Sequence, residues 1–240
     1  MPALMHIKTL CLRTALAFVT LVPLHAQDAM PRETPLFVTL AEQGSLDDHI
    51  FPIGWAGSAK FAWISKKSNE AADDCTWVLT IQDMATNQPV ERKEFEMPDK
   101  PGNGIQKFWA AHGKAITPLL AKHAVKNTGA IMDHLPLVAG KRRSVAVQLT
   151  LDTVPATLDN SEFGGIKSFQ LLRITDGKKV TLLQRAYDRI VPFAVGLAGC
   201  FVSPDETRAA IVVTACSRGY EGAPHPRTVE AIVGFKTGIE

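Results

Sequence analysis

Five histidines lie beyond residue 26, at His49, His112, His123, His134 and His225. Imidazole is the side chain that titrates nearest neutral pH, so these are the first places to look for acid–base or metal chemistry. His112, His123 and His134 recur every eleven residues. On one continuous helix that separation is about 16 Å, against metal–ligand bonds of about 2 Å, so the regularity does not build a shared coordination site. Neither H-E-x-x-H nor C-x-x-C occurs, and no metal and no cofactor are expected. Asp48-His49 and Asp133-His134 each set a carboxylate beside an imidazole, the partnership that hydrolases orient. Neighbours on a strand point to opposite faces, however, and catalytic partners normally meet through the fold rather than through adjacency. Ser58 follows Gly57 without the G-x-S-x-G frame of a nucleophile elbow. Cys75 follows Asp73 and Asp74, whose charge disfavours the thiolate a nucleophile needs.

The loop Ser217 to Pro226 is chemically the densest stretch. Arg218, Tyr220, Glu221 and His225 are spaced by stiffening prolines and glycines between two apolar runs. Loops carried by a rigid scaffold are where recognition concentrates. Arginine and tyrosine are the residue types that anchor interfaces. These four are the candidate binding residues. Their alternative use is acid–base work by His225 and Glu221 in a periplasmic hydrolase.

Such a loop needs strands on both sides, and the sequence supplies them. Cys200 to Val202 and Ala209 to Val213 are apolar runs joined by Ser203-Pro204-Asp205, a turn that Pro204 and two hydrogen-bonding side chains favour. The result is an antiparallel hairpin. Ser203-Pro204-Asp205 followed by Arg208 to Val213 resembles the SPDG element of TolB-type and WD40-like β-propeller blades, with Glu206 where that family has glycine. A blurred second copy runs from Gly54 to Ile64. The resemblance implies blade-like antiparallel sheets, although the chain is too short for a closed propeller.

Elsewhere, period-two alternation marks strands. Trp77, Leu79 and Ile81 lie on one face of a run from Thr76, and Val145, Val147, Leu149 and Leu151 on one face of another. Val90 to Phe95 is a charged, edge-like strand, and Pro35 to Leu40 a first strand. Thr175-Asp176-Gly177-Lys178 is a hairpin turn. Lys66 to Asp74 has the polarity of a loop. Between Asn103 and Asn127 the pattern turns helical, with Asn103 as cap and Thr117-Pro118 starting a second short helix. The expected fold is therefore mainly β: antiparallel sheets, as a sandwich or an incomplete blade-like pair, with a short helical insertion at about 104–127. Strand blocks at 35–97 and 167–236 flank that insertion and have the look of a degenerate duplication. Trp55, Trp63 and Trp77 are expected in the core.

Residues 1–26 have the form of a secretory signal peptide: basic Lys8 and Arg13, an apolar stretch from Thr14 to Leu24, and a small residue at Ala26. Cleavage there leaves a single domain of 214 of the 240 residues, with a periplasmic or secreted destination and no transmembrane segment. It also removes two of the 26 basic residues and none of the 24 acidic ones. The resulting charge balance argues against nucleic-acid binding. Another envelope protein or a small ligand is the expected partner. Cys75, Cys200 and Cys216 remain, an odd number. In the hairpin Cys200 falls opposite Ile211 or Val212 rather than Cys216, so Cys75 would have to be a partner in any disulfide; three buried thiols is the other outcome.

Overall fold

The computed structural model describes residues 30–32, 48–69, 74–98, 104–128, 130, 132–133, 146–155, 164–188, 192–217 and 227–237. Among these residues the fold is mainly β, with three antiparallel sheets and a single helix. Sheet 1 is built from β1 (Asp48–Ala56), β2 (Lys60–Asn69), β3 (Asp74–Asp83), β4 (Pro89–Pro98) and the two-residue β5 (Lys126–Asn127), in the order β4-β3-β2-β1-β5. Helix α1 (Ile105–Lys122) lies between β4 and β5 in the chain. Sheet 2 contains β6 (Met132–Asp133), β10 (Ala194–Val202), β11 (Arg208–Cys216) and β12 (Arg227–Lys236), ordered β12-β11-β10-β6. Sheet 3 is β7 (Ala146–Val154), β8 (Gly165–Thr175) and β9 (Lys178–Ala186).

Three apolar clusters stack these elements into four layers. Trp77, Leu79 and Ile81 of β3 and Phe51 and Ile53 of β1 pack against Phe108, Ile116 and Leu120 of α1. The Trp77 and Phe108 rings are stacked 4.4 Å apart, 11° from parallel. The opposite face of sheet 1, with Ile50, Trp55, Phe61 and Trp63, meets Phe201, Ala210, Val212 and Ile232 of sheet 2. Sheet 2 then turns Cys200, Ile211, Val213 and Phe235 toward Phe169 and Leu171 of sheet 3. Strand β11 is covered on both faces, which is why its sequence is a continuous apolar run instead of an alternation. Fully burying each large side chain contributes about 1.5–3 kcal/mol, so the central sandwich carries much of the stability.

Two matching irregularities shape that sandwich. The ladder β1–β2 shifts register between Pro52 and Gly54, and β10–β11 between Leu197 and Gly199. Gly54 and Gly199 have φ of 154° and 155°. Each bulge reverses which face the following residues take: Ile53 faces the helix but Trp55 faces sheet 2. A short outer strand seals each bulge, β5 against Gly54 and Trp55, β6 against Cys200 and Phe201. At Gly54 glycine is obligatory, because a Cβ would sit 2.1 Å from the Lys126 carbonyl oxygen. The two following turns are neighbours, and Ser58 adds to the lowering of the Asp205 pKa.

Several local expectations are corrected. Thr117-Pro118 does not start a second helix; α1 runs through it for 18 residues. Thr117 Oγ1 donates to the Gly113 carbonyl at 3.0 Å, and Pro118 lies on the exposed side, where water can serve the carbonyl its missing N–H leaves unpaired. The N-cap is Gly104, with no side-chain cap bond; Asn103 lies outside the described residues. The helix also stops before Asn127, in a Schellman turn: Val125 N–H donates to Leu120 O (2.9 Å) and Ala124 N–H to Ala121 O (3.0 Å), with Ala124 at φ 55°. Residues 66–69 continue β2 instead of forming a loop. The strand expected from Pro35 to Leu40 and residues 1–26 lie outside the described residues.

Other expectations hold. Strand β4 is the end strand of sheet 1, Asp176 and Gly177 turn β8 into β9 with positive φ, and Trp55, Trp63 and Trp77 are buried. Cys200 pairs with Ile211 and Cys216 with Ala194. None of the three cysteines is in a disulfide, and all are buried; Cys75 belongs to the helix-side cluster and Cys200 to the sheet-3 side, with the central sandwich between them. Among the described residues no helix is long and apolar enough to cross a membrane.

Candidate functional site

Sheet 1 is wider than the part of sheet 2 that covers it. β12 is the end strand of sheet 2, and beside it the inner face of sheet 1 opens into a cleft of about 430 Å³. The floor is the polar half of the β2, β3 and β4 alternation: Ser65, Lys67, Val78, Thr80 and Arg92. Val229 to Val233 of β12 form one wall, and Leu183 and Arg185 of β9 the roof. Ligand-binding clefts of this size form where sheets or domains meet.

The edge of β12 is held by side chains instead of a further strand. Gln82 Nε2 donates to Ile232 O at 2.7 Å, and Gly234 N–H donates to Asn87 Oδ1 at 2.6 Å. Arg185 donates to Glu230 O at 3.2 Å and also pairs with the Glu230 carboxylate. Arg173 donates to Lys236 O at 3.3 Å, and Asp48 Oδ2 accepts the Val229 N–H at 2.9 Å. These bonds fix the cleft wall to sheets 1 and 3. The β3–β4 turn is locked in turn by Asp83, whose carboxylate accepts the N–H groups of Thr86 and Ala85, which hold its pKa below the usual value. Its Met84 backbone lies so close to Gly234 that a Cβ there would fall 2.3 Å from Met84 O. Behind the wall, burial and then the Glu230 carboxylate push the Tyr187 phenol well above its ordinary pKa.

Of the residues singled out from sequence, Arg218, Tyr220, Glu221 and His225 lie outside the described residues. Their loop joins β11 to β12, and Val229, two residues into β12, already lines the cleft. Asp48 and His49 part as strand geometry requires: Asp48 lines the cleft, whereas His49 lies toward the helix side, beside Phe51 at 6.5 Å. His112 packs between Phe95 and Phe108, with ring centroids 5.0 Å from each. His123 Nε2 lies 3.1 Å from Glu91 Oε2, which also accepts from Lys122 at 2.8 Å; Lys122 first and His123 second lower the Glu91 pKa. His134 lies outside the described residues. Among those described, no group of three or more His, Cys, Asp or Glu could hold a metal ion.

Lys67, Arg92, Arg185 and Glu230 were not singled out from sequence. They come from four different strands, and only strand pairing brings them together. The one legible signal was the polar face of the alternation carrying Thr76, Val78 and Thr80. No family profile, no curated protein and no solved structure matches this chain.

Proposed function

We propose that this is an exported, non-catalytic binding module of the bacterial envelope, acting in the periplasm or outside the cell. Its sheets are proposed to be a degenerate pair of blade-like units. The recognition surface is the cleft beside β12, continued by the loop that carries Arg218, Tyr220, Glu221 and His225. The observation that carries this reading is the cleft itself: about 430 Å³, floored by hydrogen-bonding side chains on paired strands. Sites on strands hold their donors and acceptors in fixed directions, which lowers the entropy lost on binding.

The test is recovery of partners from an envelope extract. The wild-type chain is compared with Arg92→Glu in the cleft and with an Arg218→Ala/Tyr220→Ala variant in the loop. Loss of the same partner from both variants supports the reading. Retention of every partner by the loop variant removes the loop from the surface, and retention by both refutes the reading. The hydrolase alternative requires acid–base groups to converge, and Asp48 and His49 lie on opposite faces of sheet 1.

A further inference from the structure

Resting on that reading, we propose that the cleft takes an extended acidic peptide segment of a protein partner. Three observations point the same way. First, one wall is the outer edge of β12, where Glu230 O and Ile232 O accept from the Arg185 and Gln82 side chains. A carbonyl oxygen has two lone pairs, so a peptide N–H can add to either in the manner of strand addition.

Second, cations outnumber carboxylates in the cleft lining, with Lys67, Arg92 and Arg185 against Asp48 and Glu230. Asp48 lies opposite Lys67 in the β1–β2 ladder and accepts the Val229 N–H, and Glu230 is paired with Arg185. Lys67 lines the cleft with no ion-pair partner among the described residues. Arg92 NH1 is paired with Glu94, and a guanidinium offers five N–H donors.

Third, the cation spacing suits an extended chain. Lys67 is opposite Thr76 and Arg92 opposite Thr80 on β3. They are offset by four residues along β3, about 13 Å, and by two strand spacings across it, about 10 Å, so by about 16 Å in all. Side chains i and i+4 on one face of an extended peptide are about 13 Å apart, and the long Lys and Arg side chains span the difference, so a segment with two carboxylates four apart reaches both cations.

The probes are a fluorescein-labelled peptide containing Glu-Thr-Val-Thr-Glu, its Gln-Thr-Val-Thr-Gln counterpart, citrate, and maltotetraose. Binding is read by anisotropy, and the site by amide chemical shifts. The Glu peptide is expected to bind at least tenfold tighter than the Gln peptide and to shift the Glu230 and Ile232 amides. Lys67→Gln and Arg92→Gln, each checked as folded by circular dichroism, are each expected to weaken it about three- to tenfold, and added salt to weaken it further. Equal binding of the two peptides, absence of Glu-peptide binding at millimolar concentration, or citrate reproducing the same shifts overturns the acidic-peptide inference. If the Gln peptide or maltotetraose still shifts Thr80 and Gln82, the cleft survives as a binding surface while the inference falls. If envelope partners bind and none of them touches those residues, both fall.

Discussion

Replacing Gly234 by alanine is a direct probe of how sheet 1 sits on sheet 2. The new methyl would lie 2.3 Å from Met84 O and 2.7 Å from Met84 Cα. Both are backbone atoms in a turn pinned by Asp83, so no flexible side-chain end can move aside. Overpacking of this kind costs about 1–3 kcal/mol. Displacing the turn also loosens the Gly234–Asn87 and Gln82–Ile232 bonds, at about 0.5–1.5 kcal/mol each. The expected destabilisation is therefore about 4 kcal/mol, a fall in Tm of roughly 8–16 °C for a chain of this size. Urea unfolding followed by circular dichroism measures it. A double-mutant cycle with Asn87→Ala should be non-additive, because the Gly234 variant has already lost the bond that Asn87 makes. A Gly234→Ala protein within about 0.5 kcal/mol of wild type, the range of an ordinary surface substitution, would refute the docking of the two sheets.

Three further outcomes follow from local geometry. Ala124→Gly should stabilise by about 0.5–1 kcal/mol, because Ala124 ends the helix at φ 55°, where an L-residue is strained and glycine is not; a lower Tm would contradict the Schellman turn. Thiol titration should find Cys75, Cys200 and Cys216 unreactive in the native chain and three thiols after denaturation without reductant, since all are buried and none is in a disulfide; fewer would mean a disulfide. Asp205 has its pKa lowered from 3.8 to about 2, first by the Ser203 hydroxyl and then by Thr207. A depressed folded-state value adds stability above the unfolded pKa and loses it as pH falls through the folded one. Stability should thus decline between about pH 4 and 2, and Asp205→Asn should flatten that decline; an unchanged acid limb would show that the turn network contributes nothing there.

The sheets were legible because alternation survives wherever one face is buried and the other is polar, as at Trp77, Leu79 and Ile81. The Asp176-Gly177 turn was legible from local chemistry alone. The continuity of α1 was not, because Thr117-Pro118 has the sequence of a helix start; its tolerance depends on Pro118 facing solvent and on Phe108, Ile116 and Leu120 clamping both halves to one sheet. Nor could the bulges at Gly54 and Gly199 be anticipated, since they show only when a strand changes which core it faces. The cleft was the least accessible feature. Lys67, Arg92, Arg185 and Glu230 are scattered along most of the chain, and each looks like an ordinary solvated strand residue until the strands and two sheet edges are assembled around it.

Site-specific photo-crosslinking in cells tests the binding surface whatever molecule occupies it. A benzophenone amino acid placed at Lys67 or Arg92, on the cleft floor, is predicted to yield a discrete higher-mass adduct. The same probe at Gln148 on sheet 3 or Lys114 on α1, both exposed, is predicted to yield none. Adducts from Gln148 or Lys114 with none from the cleft positions would contradict the account.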